Sequence, residues 1–141
     1  MVKISAQIQN SEGKNSVSVK TGENAQSITI SSRASGFGSS VNGGELLFLA
    51  LATCYCNDIY REAQQRNITV TSVQVDVEGE FDGIAGHPAE NVIYHVMIKA
   101  EASEAEIIEL MKHTDTVAEI QNTVRQLTNV KLGNIQAISI H

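Results

Sequence analysis

Val2, Ile4, Ala6 and Ile8 alternate with Lys3, Ser5 and Gln7, a period of two that predicts a strand with one apolar face. Asn10-Ser11-Glu12-Gly13-Lys14-Asn15 is turn material, and Val17 and Val19 resume the alternation, so the opening reads as a β-hairpin. Ser27 to Ser31 reads as a third short strand, followed by a Gly- and Ser-rich loop over Ser35 to Gly44. The period then changes. Asn42 three residues before Glu45 is a capping-box-like start, and Leu46 to about Ala63 favours helix, with Asn67 as its stop. Val73, Val75, Val77 and Phe81 alternate with Gln74, Asp76, Glu78 and Glu80, the clearest strand in the chain. A loop over Asp82 to Glu90 leads to a returning strand over Val92 to Ala100. Ser103-Glu104-Ala105-Glu106 opens a short helix to about Lys112, and Thr116-Val117-Ala118-Glu119 opens another. Val117, Ile120, Val124 and Leu127 make the stripe of that second helix, and Ile135 to Ile140 reads as a last strand. The fold class is α+β, in the order βββ-α-ββ-αα-β, expected as one domain over residues 1–141.

Leu46 to Ala52 is apolar all round. A soluble helix with no polar face must be covered on every side, which this chain's own sheet can hardly do, so the helix is expected to be sandwiched in an oligomer. With 42% apolar and 18% charged residues the chain is globular, and at 141 residues it needs no disulfide or metal to fold. A net charge of −6 argues against nucleic acid or an anionic membrane as partner, and six aromatic residues without Trp argue against base stacking. The N-terminus lacks the apolar core of a signal peptide, and no run approaches the ~20 apolar residues that span a bilayer. The expected location is therefore cytoplasmic.

Cys54 and Cys56 are two residues apart, nearly opposite each other on a helix, and should not pair. Each is either a small packed hydrophobe or a nucleophile; the second role needs a lowered thiol pKa. Nothing local supplies one for Cys54. The helix start is too far away for its dipole to help, and Asp58 one turn later would oppose ionisation if it faced the sulfur. A cation would have to come from Lys14, Arg33, His113 or Arg125. Glu45 is either a first-turn acid or a catalytic group. His87, His95, His113 and His141 show no metal-ligand spacing and read as loop or surface residues, and the glycines at 36, 38, 43 and 44 fit no phosphate-binding fingerprint. No metal or cofactor is expected.

The stretch Gly43-Gly44-Glu45-Leu46-Leu47-Phe48-Leu49-Ala50-Leu51-Ala52-Thr53-Cys54 resembles the signature of the OsmC/Ohr family of thiol peroxidases. Ala118-Glu119-Ile120-Gln121-Asn122-Thr123-Val124-Arg125 is similar to that family's Cys-Pro-Val-x-Asn-Thr-Leu-Arg segment. The resemblance implies an OsmC-like fold with a long central helix buried in an intertwined homodimer. It also implies a reaction in which Cys54 attacks an organic hydroperoxide, with Glu45 matching the family's Glu. Ala118 stands where the resolving cysteine belongs, Glu119 replaces the proline after it, and Gly43 replaces the proline before the helix. The family's activating Arg has only Lys14 near its place, which lacks the planar bidentate contact. Three readings follow: a single-cysteine peroxide reductase dependent on an external thiol, a non-catalytic dimer binding a small apolar ligand at the subunit interface, or a structural dimer with packed cysteines.

Overall fold

The computed structural model describes residues 1–140, and contacts group them into two compact units, the first over Met1–Leu49 and the second from Ala50 onward. In the first unit β1 (Ile4–Ser11), β2 (Lys14–Thr21) and β3 (Asn24–Ser27) form an antiparallel meander. Gly13 and Gly22 turn its corners at φ 69° and 57°, a region open to glycine because it has no Cβ. The third strand thus begins earlier than the sequence predicts: the tight turn at Gly22 pairs Thr21 with Asn24, and only the Ile28 N–H to Val17 carbonyl bond extends it beyond Ser27. The following loop is tied to the first hairpin. Asn15 Nδ2 donates to the Ile30 carbonyl (3.1 Å) and Ser39 Oγ (2.8 Å), and Asn10 Oδ1 accepts from Gly38 N–H (2.9 Å).

Helix α1 (Gly43–Gln65) opens with a reciprocal cap: Glu45 N–H donates to Asn42 Oδ1 (2.8 Å) and Asn42 N–H to Glu45 Oε1 (2.9 Å). Asn67 ends it in the left-handed region, φ 55°. In the second unit Tyr55, Ile59 and Ala63 recur every fourth residue and, with Leu110, form the buried core. Packed on it are the apolar faces of β4 (Thr69–Glu80) and β5 (Glu90–Glu101), an antiparallel pair. Val70 and Val73, three residues apart, would face opposite ways in a regular strand. Both reach the core because Thr71 is an unpaired extra residue between the pairs Val70–Ala100 and Ser72–Lys99. Asn91, at φ 54°, marks the matching irregularity at the other end.

Helix α2 (Glu104–Val117) starts on the predicted Ser103–Glu106 capping box but runs a turn past Lys112. Thr116 caps nothing: its hydroxyl donates back to the His113 carbonyl (2.6 Å), and α3 (Glu119–Arg125) starts from Ala118 with no side-chain cap. The stripe expected to reach Leu127 stops short, since Leu127 lies beyond the helix at φ 52° and is exposed. Ile135 to Ile140 forms no strand. Alternation assigns side chains to faces, but a strand also needs a ladder partner, and both sheets pair within themselves. His141 lies outside the described residues. No helix among them is long and apolar enough to cross a membrane.

Candidate functional site

Cys54 lies on α1 and is half-buried. It shares its surroundings with Asp58, one turn along the same helix, and with Glu119 at the start of α3. The thiol points at Asp58 Oδ2 (3.5 Å) and lies 3.9 Å from Glu119 Oε2. Gln121 on α3 fixes that helix against α1, its buried Nε2 donating to the Leu51 carbonyl (2.9 Å). Arg61 holds the carboxylates together, at 3.2 Å from Asp58, 2.9 Å from Glu62 and 3.2 Å from Glu119. His113 Nε2 meets Glu62 Oε1 at 2.7 Å, so α2 joins the same network.

Burial pushes the Cys54 thiol above its ordinary pKa; a backbone hydrogen bond from Ile120 pulls the other way, and Asp58 and Glu119 add to the rise. Asp58 is raised by burial and by the neighbouring Glu119 carboxylate, while Glu119 is lowered by its own backbone N–H, by Asp58 and by Arg61. Asp58, whose side chain is 8% exposed against 64% for Glu119, is therefore the harder of the two to ionise. Arg61 neutralises carboxylates and makes no bond to the sulfur. The donor atoms of Cys54, Asp58 and Glu119 lie within 4.8 Å of one another, close enough for a cation, but Arg61 already supplies a positive charge to two of the three.

Glu45 is engaged in the helix cap, nine residues and about 13 Å of helix upstream of Cys54. Among the cations considered from sequence, Arg125 is bound to Asp115 (2.5 Å) and His113 to Glu62. Lys14 and Arg33 belong to the first unit. His113 is half-buried rather than a free surface residue, whereas His87 and His95 are exposed and sit on Asp82 (2.6 Å) and Glu78 (3.3 Å). Cys56 faces away from this network, into a cleft of about 240 Å³ lined by Ala52, Thr53, Asn57 and Val75. Both cysteines are free. Ala118, at the resolving-cysteine position, is fully buried.

The family model for OsmC-like protein matches residues 36–133. The chain belongs to the OsmC-like family. Its fold is that of known OsmC-like structures. The OsmC-like protein from Mycoplasma pneumoniae superposes with a TM-score of 0.62 at 20% identity, covering 89% of this chain and 87% of that one. An OsmC-like protein of unknown function from Vibrio cholerae gives 0.59 at 13% identity, over 87% and 94%. An OsmC-like hydroperoxide resistance protein from Jannaschia sp. gives 0.54 at 14% identity, over 95% and 96%. No curated protein matches the chain. Within this OsmC-like site, sequence reasoning singled out Cys54 and foresaw that Asp58 would oppose its ionisation. It missed Arg61, although the Asp58–Arg61 spacing on one helix was a readable signal of an ion pair.

Proposed function

We propose that this OsmC-like protein binds a small apolar ligand and is not a fast thiol peroxidase. The carrying observation is that Cys54 faces the acidic side chains of Asp58 and Glu119 and that no cation among the described residues bonds to its sulfur, Arg61 being spent on the carboxylates, the reverse of what a peroxidatic thiolate requires. The cleft of Ala52, Thr53, Cys56, Asn57 and Val75 offers apolar walls to such a ligand. A second copy of the chain is the proposed cover for α1, where Leu46, Leu47 and Leu49 are 38, 40 and 60% exposed. The ligand would then lie at the subunit interface.

A second reading is a slow single-cysteine hydroperoxide reductase, favoured by the partial exposure of Cys54 and by the hydroperoxide resistance protein among the structural relatives. In that cycle the thiolate attacks the outer peroxide oxygen, an S–O bond forms as O–O breaks, and the alcohol leaves with a proton. Two equivalents of an external thiol then return the sulfenic acid to thiol, releasing water and a disulfide. Alkylation rate against pH, with intact mass after one equivalent of cumene hydroperoxide and a sulfenate trap, separates the two. The binding reading expects a Cys54 inflection above ~8.5 and no adduct at neutral pH. An inflection below that value, with a trapped adduct that dithiol removes, establishes the reductase instead.

A further inference from the structure

A different cleft, of about 410 Å³, opens in the second unit where α2 passes β5; it is lined by Tyr55, Tyr94, Val96, Met111, Lys112 and Asp115. That volume falls in the range of small-molecule sites, about 300–1,000 Å³. Most of its polar groups are already committed. Tyr55 donates to the Met111 carbonyl (2.7 Å), and Tyr94 donates to Asp115 Oδ1. Arg125 binds the same carboxylate (2.5 Å) and the Asp115 carbonyl (3.2 Å), cancelling the only negative charge in the wall. Burial keeps both tyrosines neutral by pushing their pKa values up. What remains is one exposed ammonium, Lys112, with no ion pair among the described residues, above the apolar surface of Val96, Met111 and the Tyr94 ring.

We propose that this cleft is a second binding site, for a medium-chain monocarboxylate whose head pairs with Lys112 and whose chain lies on Met111, Val96 and Tyr94. A single cation matches a single negative charge. A phosphate is disfavoured, because one ammonium leaves a dianion half-compensated and the C-terminal half of α2, where Lys112 stands, offers no free helix N–H groups. The site is independent of Cys54 and of the Ala52–Val75 cleft, so either proposal can fail alone.

The test is an NMR titration of the full chain with octanoate and, separately, octanol, following the Val96 and Met111 methyls. Octanoate should saturate these signals, and Lys112→Gln, at an exposed position, should weaken octanoate about five-fold, the worth of one charge pair near water, while leaving octanol unchanged. The absence of saturable shifts at Val96 and Met111, shifts confined to the Ala52 and Val75 cleft, or equal losses for both probes in Lys112→Gln would each overturn the proposal.

Discussion

Glu119→Gln should make Cys54 more reactive. The carboxylate lies 3.9 Å from the sulfur, where a full charge is worth ~4 kcal/mol at an effective dielectric near 20 but only ~1 kcal/mol in bulk water. Glu119 is 64% exposed, so the lower figure applies. Removing about 1 kcal/mol lowers the thiol pKa by ~0.7 unit, which gives about five times more thiolate below the inflection. A less basic thiolate is also a weaker nucleophile, with a Brønsted slope of ~0.4–0.5, leaving a net gain of about two- to three-fold. The assay is the second-order rate with iodoacetamide, measured on a Cys56→Ser background so that Cys54 alone reports. Asp58→Asn is the companion variant: Asp58 lies nearer the sulfur, at 3.5 Å, and raises the thiol pKa through both its charge and its hydrogen bond, so its substitution should speed the reaction as well. A Glu119→Gln rate equal to or below that of the parent, with the circular dichroism unchanged, would refute the claim that this carboxylate holds the thiol down.

Ile59 is fully buried in the core, and Ile59→Ala should cost about 2–5 kcal/mol in urea unfolding at unchanged m-value. Asp115 is pushed up by burial, but the hydrogen bonds from Tyr94 and Arg125 outweigh this and hold it below its ordinary value. Its stabilisation is therefore present above the unfolded pKa of ~3.9 and is lost as pH falls through the lower folded value, so Arg125→Gln should flatten the acid limb of Tm against pH. Leu47→Lys with Leu49→Lys should reduce the sedimentation coefficient to that of a single chain if a second copy covers α1.

The long elements were legible because their periods were clean. The alternation over Val73 to Phe81 and the paired caps at Asn42–Glu45 and Ser103–Glu106 mark β4, α1 and α2 in the sequence itself. Short elements were not, since turn geometry decided them: Gly22 moved β3, and Ala118 started α3 although a threonine two residues earlier offered a better cap. Ile135 to Ile140 shows the limit of pattern reading, because a strand's partner is not written in the strand. Within the site, the Cys54–Asp58 contact followed from helix spacing, but Glu119 arrives from 65 residues away. Only the resemblance of residues 118–125 to a resolving-cysteine segment placed that stretch of chain near Cys54.

The extra residue in β4 makes this strand unusually forgiving of shortening. In most ladders the loss of one residue reverses the phase of everything on one side and throws core side chains into water. Thr71 already stands outside the count, since Val70 and Ser72 face the consecutive residues Ala100 and Lys99. Excising Thr71 would join two segments that are in step, leaving Val70 and Val73 on the core side of a regular, less twisted ribbon. A deletion at the third residue of a twelve-residue strand is thus a change of length that this ladder can absorb.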